Sequence, residues 1–134
     1  MTVTGAIGDY GRAVSTDANG KPDASGNFDT ITLQHGSFEL DETALNQHLQ
    51  TATKQAVSKA TRSGEESGSG TVTVIDGKGA YAQISGTLNI TVVEAFVAPR
   101  YKSGAHKGTC EFDANVLPLA EYATAHATGV IRFS

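Results

Sequence analysis

Apolar and polar residues alternate along most of the chain, which is the pattern of β-strands with one buried face. The clearest runs are 28–33, 71–75 and 87–97, and shorter runs occur before residue 16 and between 122 and 133. Turn signals such as Asn19-Gly20 separate the runs. The pattern predicts seven or eight short strands.

One segment follows a helical period instead. Residues 41–62 contain neither Gly nor Pro, and their apolar side chains fall three or four positions apart from Leu45 to Ala60. Asp41 can cap the amino end, and Gly64 can end the helix in a left-handed turn. We therefore predict a helix over residues 42–62, followed by a mobile linker at 63–70. The helix could plug one end of the sheet or move over it as a lid.

Composition limits the functions that need to be considered. The 134 residues, 39% hydrophobic and 18% charged, fit one globular domain spanning 1–134. The net charge of -4 gives no basic surface for nucleic acid, and no apolar run is long enough to span a membrane as a helix. Cys110 is the only cysteine, so no disulfide forms within the chain. In a strand, this thiol is expected to pack as a small hydrophobic group.

The remaining motifs do not favour a cofactor or a metal. The four histidines lack metal-ligand spacing, and no phosphate-binding or dinucleotide-binding loop occurs. We expect neither a cofactor nor a bound metal. The chain starts without a charged and apolar leader. Its Thr, Ser, Ala and Gly content suits a secreted protein whose leader has been removed, with a cytoplasmic location as the alternative.

So many strands in a short chain create an edge problem. An open sheet would leave two edges with unpaired backbone groups, and closing the sheet removes both of them. We therefore predict a mainly β fold: a closed antiparallel β-barrel of about eight strands with one inserted α-helix. A flattened sandwich is the rival geometry. The interior of an eight-stranded barrel can be filled by side chains or can hold one small ligand.

The segment Gly77-Lys-Gly-Ala-Tyr-Ala-Gln-Ile-Ser-Gly86 resembles a turn-and-strand element of dirigent-like and allene-oxide-cyclase-like β-barrels, many of them small bacterial proteins. Gln83 stands where glycine is common, and the inserted helix departs from the family. The resemblance implies an antiparallel barrel with an apolar lumen. It also implies either a cyclase or isomerase that shapes a hydrophobic substrate, or a dirigent-type protein that steers reactions begun elsewhere.

Glu94 is the strongest candidate for chemistry. In the run 87–97 it shares one face with apolar residues, which are Leu88, Ile90, Val92 and Phe96. If that face lines the lumen, desolvation would raise the pKa of Glu94 and suit it to general acid or base catalysis. Alternatively, Glu94 turns to solvent or pairs with Arg132 or Arg100.

Other residues are weaker candidates. Asp29 could be a second carboxylate in the lumen, whereas Asp9 most simply satisfies turn amides. Tyr81 could orient a ligand through its hydroxyl group. Arg100 belongs to a basic loop that could attract a ligand carboxylate, although a solvated loop explains it equally simply.

The leading hypothesis is a barrel that binds a hydrophobic small molecule in its lumen. Catalysis would be a cofactor-free cyclisation or isomerisation with Glu94 as the acid or base. Tyr81 and Arg100 would orient the ligand, and Leu88, Ile90, Val92 and Phe96 would line the lumen. The alternative is a non-catalytic binding or structural barrel with a packed interior. Assembly into a homo-oligomer is compatible with both.

Overall fold

The fold is an antiparallel sheet of eight strands with one short helix, in a computed structural model that describes residues 1–23, 25–52, 54–111, 116 and 118–133. In chain order the elements are β1 (Thr2–Val3), β2 (Asp9–Thr16), β3 (Phe28–Leu33), β4 (Gly36–Asp41), α1 (Thr43–Ala52), β5 (Lys54–Ser58), β6 (Ser63–Gly79), β7 (Ser85–Val97) and β8 (Ala120–Arg132). None of the described helices is long and apolar enough to cross a membrane.

Strand order explains where the helix lies. The strands run β1-β2-β3-β4-β6-β7-β8, and β5 pairs with β6. The last pairing of β4 with β6 is Asp41 with Thr73, and β5 begins its pairing at Ser67. Since β7 occupies the other side of β6, β4 and β5 share one side of that strand and leave residues 68–72 between them. Helix α1 packs there, with the backbone of Leu45 against Gly70.

The mainly β, antiparallel character is confirmed, but the prediction of a closed barrel is wrong. The sheet is an open half-barrel. At one end β1 has two residues, and at the other β8 has thirteen. Strand lengths therefore differ strongly across the sheet, and the short first edge cannot match the long last edge along its length.

The predicted helix over 42–62 is also wrong in its second half. Helix α1 ends at Ala52, and residues 54–58 form a strand that pairs with residues 63–67 across a turn. The predicted linker at 63–70 is the first part of β6. Two alanines, Ala56 and Ala60, give a longer helix little apolar surface to bury. A hairpin instead satisfies the backbone groups of the same residues.

The start of the helix agrees with its sequence. The backbone N–H of Thr43 donates to the side chain of Asp41 at 3.0 Å, as a capping carboxylate should. Leu45 is buried on the sheet, and Leu49 packs partly buried beside it. The helix therefore covers the sheet as a fixed element, which favours the plug over the lid.

The hydrophobic core has two parts on the inner face of the half-barrel. The first lies between β3, β4 and the turn that follows β6; its buried residues are Ile7, Ile31, Leu33, Phe38, Val74, Tyr81 and Ile84. The second is smaller and consists of Leu45 of α1 on Val72 and Ile90. Half-buried Leu40 and Leu88 touch both parts and join them.

Candidate functional site

Glu94 lies on the inner face of β7, on the same side as buried Ile90. Val92 and Phe96, its neighbours on that face, are half-buried, as is Glu94 itself. Directly across the strand pairs lie Glu66 of β6 and Ala123 of β8. Directly opposed residues in an antiparallel sheet share a face, so Glu66 and Glu94 are neighbouring carboxylates on the inner face.

A third carboxylate completes this group. Glu121 lies on β8 opposite Phe96, one position along the face from Glu94. Burial raises the pKa of Glu94, and the charges of Glu121 and Glu66 raise it further. The arrangement therefore makes Glu94 a group that keeps its proton at higher pH than an ordinary glutamate.

The strands on both sides of Glu94 carry small side chains. On the inner face of β6 these are Gly64, Gly68 and Gly70, and on that of β8 they are Ala123, Ala125 and Ala127. The ring of Phe96 lies over Gly64, where a β-carbon would collide with it. Beyond the end of α1, the inner face is therefore a shallow surface with apolar walls, two half-buried acids, Glu94 and Glu66, and the exposed Glu121.

The predicted lining residues divide into two groups. Leu88 and Ile90 pack against the second core cluster, where Leu45 covers them. Val92 touches that cluster, and Phe96 lies on the far side of Glu94. The helix thus occupies one end of the predicted lining and leaves the other end open.

The structure does not bring Tyr81 to Glu94. Tyr81 is in the turn between β6 and β7, where its ring packs edge-on against Phe38 at 5.7 Å between centroids. Its hydroxyl group donates to Asp9 at 2.6 Å. This hydroxyl is already used in the first core cluster, at the opposite end of β7 from Glu94.

Neither arginine named in the sequence analysis lies opposite Glu94. Arg100 comes three residues after β7 ends, pairs with Cys110 through an isolated bridge, and donates to the carbonyl of Gly108. Arg132 is opposite Ser85 at the far end of β7. The cross-strand partner of Glu94 is therefore another acid, not a base.

A second group of polar side chains was not predicted as a unit. The side chain of Asp9 is 2% exposed and accepts four hydrogen bonds: from the Tyr10 amide at 2.8 Å, the His35 amide at 3.1 Å, the His35 ring Nδ1 at 3.0 Å and the Tyr81 hydroxyl. The bond from Tyr81 is the main cause that holds the pKa of Asp9 well below its ordinary range, and the bonds from Tyr10 and His35 act in the same direction.

These bonds join three distant parts of the chain. Asp9 begins β2, His35 forms the β3–β4 turn, and Tyr81 is in the turn of the segment 77–86. The prediction that Asp9 satisfies turn amides is confirmed by two of its bonds. The partner 72 positions away carries no local signal in the sequence. All four of these hydrogen bonds serve the fold, so we assign Asp9 a structural role.

Glu42 was also missed as a perturbed group. It lies between β4 and α1, and burial together with the charge of Asp29 raises its pKa to about 7. Asp29 accepts a hydrogen bond from the Ser15 hydroxyl at 2.8 Å in an exposed position. In the sequence, Glu42 stands at the start of a helix, where a carboxylate is usual. The sequence does not show that the Glu42 side chain is half-buried in the fold.

A groove near Glu94 lies largely on the other face of the sheet. It has a volume of about 410 Å³, is open to solvent, and is lined by residues including Val57, Glu65 and Ala95. Glu65 and Ala95 alternate with Glu66 and Glu94 and so point to the outer face. This groove is therefore not the predicted lumen.

The described residues contain no cluster of three or more side chains suited to holding a metal ion. Cys110 is half-buried, and its thiol donates to the carbonyl of Lys59 at 3.3 Å. No protein-family model, curated protein or solved structure matches the chain.

Proposed function

We propose that the inner face around Glu94 binds a hydrophobic small molecule and that Glu94 is the general acid or base of a cofactor-free cyclisation or isomerisation. One observation carries the proposal: a half-buried carboxyl group with a raised pKa lies on an open face, between apolar residues of its own strand and small residues of the two neighbouring strands. The resemblance of segment 77–86 to cyclase-like barrels supports the same class of function.

The ligand would lie beside Val92 and Phe96, which form apolar walls next to Glu94. Gly68 of β6 and the alanines of β8 add little side chain next to Glu94, whereas Phe96 covers Gly64 and Leu45 covers Gly70. Leu45 would close this inner-face binding surface at the end where it covers Ile90. A flat or elongated apolar molecule suits such a shape better than a compact polar one.

Charge narrows the ligand class. Glu66 and Glu121 lie on the same face as Glu94, and the whole chain has a net charge of -4. An anionic group placed there would be repelled, so the part of the ligand that contacts Glu94 should be uncharged or cationic. The carboxylate recognition predicted for Arg100 has no support at this position.

The same charges suit a reversible proton transfer. A protonated Glu94 can donate its proton to an oxygen or carbon of the ligand. The resulting carboxylate lies next to Glu66 and Glu121, which favour its reprotonation by a proton from another ligand atom. An isomerisation needs this balance, because the number of protons on the ligand does not change.

A binding test can use Nile red, an uncharged apolar dye whose fluorescence rises away from water. Ala125→Phe places a ring opposite Val92 on the inner face and should weaken dye binding about tenfold or more. Thr124→Phe adds the same ring to the outer face of β8 and is the matched control. Equal effects of the two substitutions would contradict the inner-face site.

Glu94→Gln tests the role of the acid. Since it removes a repelled charge, the free energy of unfolding at neutral pH should hold or rise by up to about 1 kcal/mol, while ligand binding or turnover falls. Glu65→Gln, on the exposed outer face of β6, is the control. If neither binding nor stability changes in Glu94→Gln, Glu94 has no functional role.

The second candidate is a binding or structural protein without catalysis. The packing of Leu45 on Val72 and Ile90 favours it, because side chains already fill that part of the inner face. Under this alternative Glu94→Gln would bind Nile red as the unmodified chain does. A binding protein would still lose dye binding in Ala125→Phe, whereas in a purely structural protein Ala125→Phe would have no larger effect than Thr124→Phe.

A further inference from the structure

The last strand, β8, is an open edge of the sheet. Within the described part of the chain it pairs with β7 alone, residue by residue from Ala120 to Arg132. Twelve of its thirteen residues are exposed, and Ile131 is half-buried. Tyr122 is 70% exposed and Val130 is 60% exposed. Its second row of backbone donors and acceptors faces away from β7.

Nothing in β8 protects this edge. Edge strands of monomeric proteins usually carry lysine, proline or a bulge that prevents pairing with another chain. β8 has no lysine or proline, and its register with β7 runs without interruption. Its charged residues, Glu121 and Arg132, are near its two ends.

The sequence of β8 is close to a palindrome centred on His126. Reading outwards from this residue, the strand has alanine on both sides, then threonine on both sides, then alanine against Gly129, and finally Tyr122 against Val130. Such a strand presents nearly the same side chains in both directions. Antiparallel pairing of two copies about a two-fold axis through position 126 would place each residue opposite its palindromic counterpart.

We propose that β8 is a self-association edge, which pairs antiparallel with β8 of a second copy of this chain, with the two-fold axis at His126. Tyr122 of each copy then lies opposite Val130 of the other, an aromatic and β-branched pair of the kind that stabilises sheets. Thr124 lies opposite Thr128 of the second copy. Both exposed apolar side chains of the strand's outer face are covered by the same contact.

Charge selects the antiparallel direction. In this register Ala120 of one copy is opposite Arg132 of the other, and Glu121 is opposite Ile131, so no two like charges face each other. Parallel pairing would instead place glutamate near glutamate and arginine near arginine. Thirteen paired residues give about a dozen backbone hydrogen bonds, which is close to the roughly ten of a typical protein interface.

A second copy fits this edge better than the other end of the same sheet. The opposite edge consists of β1, with two residues, and a short open part of β2, residues 12–14, because Met1 bonds to Gly11 and the loop at Pro22 and Asp23 covers Ser15 and Thr16. It is much shorter than β8 and has no palindromic order. If the sheet closed within one chain, this shorter edge could pair with only part of β8. Either Tyr122 or Val130 would then have no partner strand.

Disulfide mapping tests both the contact and its register, in a Cys110→Ser background so that no other thiol is present. His126→Cys should form a disulfide-linked dimer under mild oxidation, because the axis places each new thiol opposite itself. Tyr122→Cys and Val130→Cys should crosslink when mixed and not alone. Asn89→Cys, exposed on the interior strand β7, should not crosslink in any mixture.

Charge pairing gives an independent test by analytical ultracentrifugation. The unmodified chain should dimerise, and Tyr122→Lys should raise the dimer dissociation constant about tenfold or more. Adding Val130→Glu to Tyr122→Lys should restore dimerisation, since the two positions meet only between copies. Asn89→Lys adds the same charge away from the edge and should leave the dimer unchanged.

Several outcomes would overturn the proposal. A chain that stays monomeric at high micromolar concentration has no self-association edge, and a thiol at position 126 that crosslinks within one chain to a thiol in β2 shows closure of the sheet instead. A dimer that loses no affinity in Tyr122→Lys uses another surface. If the double variant with Tyr122→Lys and Val130→Glu does not regain dimerisation, this register is excluded.

Discussion

The two ends of the sheet are built for different purposes. Strands β2, β3 and β4 and the end of β6 enclose the first core cluster, in which Ile31 and Val74 are each 1% exposed. At the other end, β8 has no fully buried residue. We call these the packed end and the open end. The packed end holds the fold, and the open end leaves its backbone and its small side chains available for binding.

Polar groups follow the same division. At the packed end, both carboxylate oxygens of Asp9 accept hydrogen bonds, and those from His35 and Tyr81 join the start of β2 to two turns. At the open end, Glu94 faces Glu66 across the strand pair and has no basic residue opposite it. An arrangement of like charges costs stability and is therefore typical of a site that serves a function rather than the fold.

The largest expected difference between the two ends is in side-chain truncation. Ile31→Ala should lower the free energy of unfolding by about 3 kcal/mol, because it removes buried methyl groups and leaves a cavity in the first core cluster. Val130→Ala truncates a side chain that is 60% exposed and should change it by less than about 0.5 kcal/mol in the monomer. Urea unfolding at low protein concentration measures both.

Similar losses in these two variants would mean that the open end is as well packed as the packed end. The comparison must be made below the dimer dissociation constant, since Val130 also belongs to the proposed self-association edge. A concentration-dependent loss in Val130→Ala alone would support that edge.

A second contrast uses one substitution at two tyrosines. Tyr81→Phe removes the hydroxyl group that donates to Asp9 at 2.6 Å, whereas Tyr122→Phe removes a hydroxyl on a side chain that is 70% exposed. We expect a lower urea midpoint for Tyr81→Phe and no change for Tyr122→Phe. The ring of Tyr81 stays in place against Phe38, so the loss reports the hydrogen bond rather than a cavity.

The pH dependence of the Tyr81→Phe effect follows from the lowered pKa of Asp9. A carboxylate with a depressed folded-state pKa stabilises the fold fully above its unfolded pKa, about 3.9, and loses that contribution as the pH falls. The difference in the free energy of unfolding between the unmodified chain and Tyr81→Phe should therefore be largest at neutral pH and should become smaller below about pH 4. A gap independent of pH would exclude the charge of Asp9 as its cause.

Sequence patterns predicted the packed end better than the connections. The β-rich run 28–33 and the long strand-like run 87–97 placed β3 and β7 within two residues of their observed bounds. The prediction of the helix was correct where Leu45 and Leu49 give it a buried face. It was wrong beyond Ala52, where alanine alone marks the period, since a weak helical stripe cannot compete with strand pairing to residues 63–67.

Local sequence patterns could predict neither whether the sheet closes nor which carboxyl groups have shifted pKa values, and the reason is the same for both. Whether two edges meet depends on the lengths and curvature of all the strands, and the edge argument assumes that each edge must be covered within one chain. The contact between Asp9 and Tyr81 and the burial of Glu42 likewise arise between segments far apart in sequence. The face of Glu94 could be predicted because alternation within one strand determines it.

The smallest expected effect concerns Glu42, at the boundary of the packed end. Its folded-state pKa of about 7 is above the ordinary value of about 4.3. The folded state therefore binds the proton more tightly than the unfolded state, and stability is lost as the pH rises from about 4.5 through 7. Discounted for its partial exposure, the loss should be about 1–2 kcal/mol.

Glu42→Gln should remove this loss, so that the variant is more stable than the unmodified chain at pH 8 and similar at pH 4. Asp29→Asn should reduce it in part, since the charge of Asp29 contributes to the raised pKa. Glu65→Gln, exposed on the outer face of β6, removes one carboxylate without touching this pair. If the urea midpoint of Glu42→Gln still falls between pH 5 and 8 as steeply as that of the unmodified chain, Glu42 is not the cause; Glu94, at the open end, also has a raised pKa and would be tested next with Glu94→Gln.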